Sequence, residues 1–490
     1  MMLSAETILA IYAVLGLIVV LLTILFKTHK SINILSVILP AGFIILSLYS
    51  LGFAEVPNYS VVGGYFLIDH LGIYEVLISS VLFLAAAVYA RSYIEGSIEI
   101  GEMDQNNLKL FYVALNLLLV EITFTFFSNN LALFWILAEL TTAFSGVLIV
   151  MLNAVKNIGA TLKYIFITST CMLFSFIGLI LLFTLTENSL GVGTLNWNTL
   201  MNVASTLSPA IIFAAFIFTF VGFAAKSGVV PFHAWLPSAH SKAPAPVSAI
   251  LSGSITSVGI YGIIRMYAIA AQTSSIFKVS VFLIAFGVIS MLVAALTMLT
   301  QVNLKKVIAY STVENMGFLL VGIGLGTPLA IFWTLFYVLA HAFTKASLFL
   351  SSGIIHHQFG GVRLENIKNA LKLQPFASWS LILGGIAIIG MPLSAIFLAK
   401  ISLLIQSTFL SPFLTVGLLF IFLFVAAAFG IFLMKLLTKK ETTETKQFHA
   451  SLAMKLPIAA LLLTVFILGV FFPQQLTDLL SKIVVELGIR

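Results

Sequence analysis

The chain has little charge and almost no cysteine. Only 8% of its 490 residues are Asp, Glu, Lys or Arg, against 61% hydrophobic residues. That balance excludes a soluble domain and describes a polytopic membrane protein. The single cysteine, Cys171, lies in an apolar run without a partner, so no internal disulfide is expected. No Cys or His cluster is present to hold a metal or an iron–sulfur centre. The sequence also lacks a phosphate-binding loop, a dinucleotide fingerprint and a haem or quinone signature. No cofactor is therefore expected in this chain, and it either exchanges one ion for another or is driven by a partner. Strict polar/apolar alternation is missing, and the apolar runs are continuous over 18 residues or more, which excludes a transmembrane barrel. A cleavable signal peptide is not expected, because the first apolar run, 7–26, is long enough to span and carries its positive flank behind it.

What is present is a series of fourteen candidate spans, near 7–26, 31–53, 73–90, 108–128, 131–152, 158–186, 208–235, 245–268, 279–298, 305–325, 329–355, 376–409, 411–437 and 455–472. An all-α polytopic fold follows. An even number of spans puts both termini on one face. Most of the 24 lysines and arginines fall in the odd-numbered connections, among them Lys27, Lys30, Arg91, Lys305, Lys306, Arg363, Lys439 and Lys440. By the positive-inside rule both termini then lie outside the cytoplasm, and the net charge of +7 reports topology, not nucleic-acid binding. Three connections on the basic face, Tyr93 to Asn107, His356 to Gln374 and Lys439 to His449, are long enough to dock a partner or simply to be solvated. The tail from Gln474 to Arg490 has apolar residues at helical spacing (Leu476, Leu479, Leu480, Ile483, Val484, Leu487), as expected of an amphipathic helix on the membrane surface.

The stretch from Gly222 to Arg265 carries Lys226, His233 and His240 inside or beside apolar runs and is interrupted by Pro231, Pro237, Pro244 and Pro246. A lysine at bilayer depth costs about 2.5–3.5 kcal/mol on insertion scales, so it survives where it faces a partner or water. A proline-broken helix is tolerated at that depth only where neighbours or a cavity satisfy the freed backbone. Such helices are a common construction of ion pathways. A second break, Gly390-Met391-Pro392 before Lys400, lies five spans later. An odd offset gives the two units opposite orientation, the mark of inverted repeats.

Seven ionisable residues fall well inside the spans: Glu121, Glu139, Lys226, Glu314, His341, Lys345 and Lys400, with His233 close by. Isolated buried charges are costly, and pairing or neutralisation is the physical escape. Both suit proton relay, and their scatter over six spans favours a path over one structural ion pair. The competing reading is a set of pairs that only fix helix packing. His341 and Lys345, four apart, share a helix face. Ser252, Ser254, Thr256 and Ser257 are hydroxyls suited to a water file or to plain helix packing.

These motifs also resemble a known family. Lys226-Ser227-Gly228 followed by Pro231-Phe232-His233-Ala234-Trp235-Leu236-Pro237, and then Pro244-Ala245-Pro246-Val247-Ser248-Ala249, is similar to the antiporter-like subunits of respiratory complex I and of multisubunit cation/proton antiporters. Gln301 to Thr312, His341-Ala342-Phe343 with Lys345, and Gly390-Met391-Pro392 with Phe397 and Lys400 match its tenth, eleventh and twelfth helices. Ala239-His240-Ser241 and Val313-Glu314-Asn315-Met316-Gly317 look most like the membrane subunits of membrane-bound [NiFe] hydrogenases and formate hydrogenlyase. The resemblance implies three leading helices (1–107), two inverted five-helix repeats (108–268 and 269–437) with broken helices 7 and 12, and a last helix with its tail (438–490). It implies a proton-translocating subunit in a prokaryotic plasma membrane, with further membrane subunits and a peripheral hydrogenase-like or dehydrogenase module carrying nickel–iron and iron–sulfur centres as partners. It makes Glu139 with Lys226 the switch of the first half, His341 and Lys345 the central axis, and Lys400 the terminal site of the second half. Glu139 stands three residues after the usual position, which is occupied here by Ile136, and Ser257 stands where the eighth helix usually carries a lysine or histidine. The rival readings are a sodium/proton antiporter subunit without a redox partner and a membrane anchor without transport.

Overall fold

The computed structural model describes residues 3–53, 59–152, 154–438 and 447–489. Residues 439–446 of the basic connection Lys439 to His449, and Arg490 of the tail, lie outside the described residues.

Continuous apolar sequence without alternation can satisfy its backbone in a membrane only as helix, and helix is what forms. The first six spans are α1 (Ala5–Leu25), α2 (His29–Phe53), α3 (His70–Glu99), α4 (Leu108–Phe126), α5 (Leu131–Val150) and α6 (Ala154–Leu190). A two-stranded hairpin, β1 (Tyr59–Val61) and β2 (Phe66–Ile68), covers the entry to α3, with Tyr59 opposite Ile68 and Val61 opposite Phe66. The seventh span is α7 (Pro209–Ser227), which ends at Gly228 in the left-handed region (φ 74°) and resumes past a 3₁₀ turn as Leu236–Lys242. The eighth, α8 (Ala245–Ala271), contains a turn of π-helix at Leu251–Ile255. Then come α9 (Ile276–Leu299), α10 (Leu304–Leu325) and α11 (Pro328–Phe359). The twelfth span is two short helices, α12 (Pro375–Ile389) and α13 (Ala395–Leu410), separated at Gly390 (φ 90°). The chain closes with α14 (Pro412–Thr438), α15 (Leu452–Val470) and the amphipathic α16 (Gln474–Glu486). Among the described residues thirteen helices are long and apolar enough to cross a membrane, and the broken α12/α13 supplies the fourteenth span.

Glycine occurs where helices touch. A Cβ on Gly287 would meet the Gly317 carbonyl at 2.5 Å, and one on Gly259 would meet the Phe223 carbonyl at 2.4 Å. The pairs α9/α10 and α7/α8 therefore approach backbone to backbone, the small-residue packing that lipid favours. The consequence is a graded bundle. The best apolar window of α8 is wholly buried and that of α10 94% buried, whereas those of α2, α6, α14 and α15 are one-third buried. The most polar helices thus stand innermost, screened from lipid by the most apolar ones.

Candidate functional site

Both helix breaks place a lysine beside a half-helix end, and at the second break the lysine reaches an orphaned carbonyl. The last carbonyls of a helix have no intrahelical donor and carry the negative end of its dipole. Lys226, fully buried in the last turn of α7, donates to the Ala138 carbonyl and, at 2.8 Å, to Thr142 Oγ1, both on α5. Lys400, on α13, reaches back to the Ile388 carbonyl at the end of α12 (3.1 Å), pairs with Glu314 Oε1 at 3.4 Å and lies 4.3 Å from the Phe422 ring centroid. Each half of the bundle therefore presents one buried cation at a half-helix terminus.

From Lys400 a connected polar run leads inward. Glu314 Oε2 accepts from Asn315 Nδ2 at 2.7 Å; Asn315 in turn donates to the Ser311 carbonyl and accepts from Tyr337 OH. Lys345 donates to Ser311 Oγ and, at 2.8 Å, to the Ile308 carbonyl. Lys345, Ser311, Asn315, Glu314 and Lys400 are thus joined across α11, α10 and α13, and all are buried. The asparagine makes the join, because an amide has donors and an acceptor on one planar group. His341, one turn from Lys345, is buried with neither ring nitrogen hydrogen-bonded. His240 is also buried, its ring stacked on Phe349 at 4.5 Å and both nitrogens unpartnered. Ser252 Oγ meets Thr312 Oγ1 at 2.8 Å, while Thr256 and Ser257 bond back to their own helix. Of the four candidate water-file hydroxyls, only that of Ser254 is left without a partner.

The first half is arranged differently from the sequence expectation. Glu139 is not ion-paired to Lys226: Ser169 Oγ donates to its Oε1, and its Oε2 is buried without a partner. The reason is angular. Ala138 and Thr142, four apart, share the face of α5 that meets Lys226, whereas Glu139 is one residue, about 100°, further round. Glu139 instead lines an open recess of about 350 Å³ with Trp135, Ile136, Leu140, Thr142, Ala143, Ile165 and Ser169. Glu121, on α4, is buried with Oε2 unpartnered, and both carboxylates act on Lys226 only through space. His233 stands apart from the axis, half-buried near Tyr310 with ring centroids 6.3 Å apart.

Several polar groups were not singled out from sequence. Arg265 forms a buried ion pair with Asp69 (Nη2–Oδ2 2.5 Å), hydrogen-bonds Tyr261 OH at 2.6 Å and stacks 4.2 Å over Trp197. His70 Nδ1 meets Glu486 of the surface helix α16 at 2.5 Å. On the opposite face Glu102 Oε1 accepts from His356 Nε2 at 3.1 Å, beside a cavity of about 390 Å³ that both residues line with Lys242, Asn303 and Arg363. Burial opposes ionisation of Glu102, but the His356 hydrogen bond and the charges of His356, His357 and Lys305 outweigh it and hold the carboxyl below its ordinary value. Glu75, on α3, is fully buried with neither carboxylate oxygen bonded. Its position two residues inside a predicted span was the available signal.

With that geometry in hand, comparison with known proteins is informative. Residues 128–425, more than half of the chain, match the family described as NADH:quinone oxidoreductase/Mrp antiporter, transmembrane. The chain is 27% identical over 422 residues to a hydrogenase-4 component F homologue of Methylacidiphilum infernorum, covering 85% of this chain and 87% of that one. It is 25% identical over 467 residues to a Na(+)/H(+) antiporter subunit of Alkalihalophilus pseudofirmus, covering 91% and 90%. In fold it superposes with a TM-score of 0.86 on a chain of the membrane-bound sulfane sulfur reductase, an archaeal respiratory membrane complex, at 21% identity and covering 99% and 97%.

Proposed function

Because the chain belongs to the NADH:quinone oxidoreductase/Mrp antiporter transmembrane family, we propose that it moves protons across a prokaryotic plasma membrane as one subunit of a redox-driven complex of the membrane-bound hydrogenase or complex I type. The observation that carries this reading is the joined run Lys345–Ser311–Asn315–Glu314–Lys400, buried among apolar helices. A structural ion pair would need only two of these groups. Five neighbouring groups, joined through the Ser311 hydroxyl and backbone carbonyl and closed by the Glu314–Lys400 pair, couple the charge of one lysine to that of the other. In this reading 108–268 and 269–437 form two inverted units, preceded by 1–107 and followed by 438–490. Both termini face away from the cytoplasm, and other membrane subunits and a cytoplasmic nickel–iron or iron–sulfur module supply the drive.

The mechanism follows from which groups are paired. Lys226 has only neutral oxygens within hydrogen-bond distance, so its charge responds to Glu139 and Glu121, neither of them bonded to it. A proton arriving at or leaving Glu139, on the open recess, changes the field at Lys226. The change at Lys226 acts in turn on Lys345. Lys345 is tied through Ser311 and Asn315 to Glu314, so a change there loosens or tightens the Glu314–Lys400 pair at the second helix break, where Lys400 exchanges its proton. His341 and His240, with free ring nitrogens, supply proton-carrying groups beside this axis. Lys226→Ala abolishes coupled pumping while leaving electron transfer in the complex partly intact, and Glu139→Gln does the same. Unchanged pumping in either variant removes that residue from the path.

The likeness to the Alkalihalophilus antiporter protein, over nine-tenths of both chains, supports a second reading, a sodium/proton antiporter subunit without a redox partner. The two separate on the composition of the complex purified from native membranes in mild detergent. Nickel with iron–sulfur proteins identifies a hydrogenase-driven pump, and iron without nickel another dehydrogenase. Only small membrane subunits and no metal identify the antiporter.

A further inference from the structure

Glu75 takes no part in the relay just described, yet among the described residues it is the most completely orphaned carboxylate. It is fully buried, and both oxygens lack a hydrogen-bond partner. Ser79, four residues on and on the same helix face, is also buried with its hydroxyl unpartnered. A carboxyl group in such a place is neutral or is solvated by water, and either state marks a group able to take up and release a proton.

Two contacts fix where Glu75 sits. Leu82 Cδ1 lies 2.3 Å from the position a Cβ on Gly253 would occupy, and the same position is 3.5 Å from Ala342, the neighbour of His341. At the other end Asp69, the N-cap of α3, pairs with Arg265. α3 and α8 therefore run antiparallel, with Leu82 beside Gly253 and Asp69 beside Arg265. Between these points Ser79 falls level with Ile255 and Thr256, and Glu75 with Gly259 and Ile260, so that Ser257 and Tyr261 lie within about one residue rise of them. The path from Leu82 to Glu75 is seven residues, about 10 Å at 1.5 Å per residue. From Glu75 outward, Asp69, Arg265 (whose Nη1 is also unpartnered) and the His70–Glu486 pair follow within two turns. The side chains of that pair are 11% and 15% exposed, so the series reaches the surface. The titratable or charged groups around Glu75 are thus Tyr74, Tyr261, Asp69, Arg265, His70 and Glu486, with His341 at the inner end.

We propose that Glu75 is a proton-carrying group on a side branch leading from the central axis at His341 to the termini-bearing face at His70 and Glu486. The branch crosses the eighth span where Ser257 offers no titratable group of its own. A carboxyl brought in from α3 fills the interval with a group that Ser257 cannot provide. The Ser79 and Ser257 hydroxyls flank the interval as anchors for water. The inference rests on the proton-moving reading above, and its test separates the two.

Glu75→Gln keeps the shape and removes the proton site. In the intact complex, infrared difference spectra under turnover should contain a neutral-carboxyl C=O band that shifts in deuterated water and is missing from Glu75→Gln. Proton release in proteoliposomes should fall about tenfold or more, the scale of a lost proton-transfer group, with redox turnover less affected. Glu75→Asp, should the glutamine variant fail to assemble, retains the band and part of the transport. A spectrum in which Glu75→Gln removes no such band, or full proton release in that variant, overturns the branch and leaves Glu75 a packing residue. If Lys226→Ala pumps normally while Glu75→Gln is blocked, the main axis is wrong and Glu75 stands. The reverse pattern keeps the axis and removes the branch.

Discussion

Removal of Arg265 should be costly, because it is buried against a buried carboxylate. Its guanidinium is 5% exposed and the Asp69 side chain 1%, with 2.5 Å between Nη2 and Oδ2. It also donates to Tyr261 at 2.6 Å and lies 4.2 Å from the Trp197 centroid. Arg265→Met preserves length and apolar packing but strands Asp69, which among the described residues keeps the Gly72 amide at 2.8 Å as its side-chain hydrogen bond. Breaking a buried pair from one side costs about 3–5 kcal/mol, and loss of the stacked cation adds about 0.5–2 kcal/mol. The two terms do not add fully, and the expected destabilisation is about 3–5 kcal/mol. Adding Asp69→Asn should recover most of it, since no charge is then stranded. The assay is reversible unfolding of the purified chain in mixed micelles, by denaturing-detergent titration. A loss below about 1 kcal/mol for Arg265→Met would refute the argument that this pair is dry and mutually dependent.

Two further expectations follow from single contacts. Gly259→Ala places a Cβ 2.2 Å from Ser227 Oγ and 2.4 Å from the Phe223 carbonyl. Overpacking of this kind costs about 1–3 kcal/mol, and because Ser227 adjoins Lys226, ion movement should fall together with the melting temperature. A variant with unchanged melting temperature and flux would mean that α7 and α8 are not in backbone contact there. Glu102→Gln tests the cytoplasmic-side pair with His356. The Glu102 pKa is lowered in the folded chain, so its ionised form stabilises the fold above the ordinary glutamate value of 4.5, and that contribution disappears as the pH falls through the lower, folded value. The half-buried pair contributes about 1 kcal/mol or less. The parent should therefore be slightly more stable than Glu102→Gln at pH 7 and equal to it once the pH is below the folded value; a difference that persists at low pH would assign it to packing.

Hydropathy and breakers made the helices legible. All fourteen spans are present, and the twelfth is split where Gly390-Met391-Pro392 indicates. The tail helix follows from its apolar spacing, with Leu480, Ile483 and Val484 turned inward. The buried lysines of the second half stand beside Glu314 and Ser311, partners that the sequence motifs do not specify. What failed was partner choice in the first half. Whether Glu139 reaches Lys226 depends on which face α5 turns to α7, an angle fixed by the packing of α5 against α4 and α6 and not by the local pattern.

The groups overlooked in the sequence share a cause. Asp69 and Arg265 stand near span ends, where a charge is ordinarily solvated and uninformative, and Glu75 is only two residues beyond a predicted boundary. At those depths the sequence cannot distinguish lipid headgroups from protein. The distinction comes from long-range assembly: the loop helix carrying Trp197 closes over Arg265, and α16, some 400 residues away in sequence, brings Glu486 to His70. Once covered in this way, charges at a nominal interface take on the energetics of an interior. They need partners, and those left without one, Glu75 first among them, are the places where water or a proton has to supply what the side chains do not.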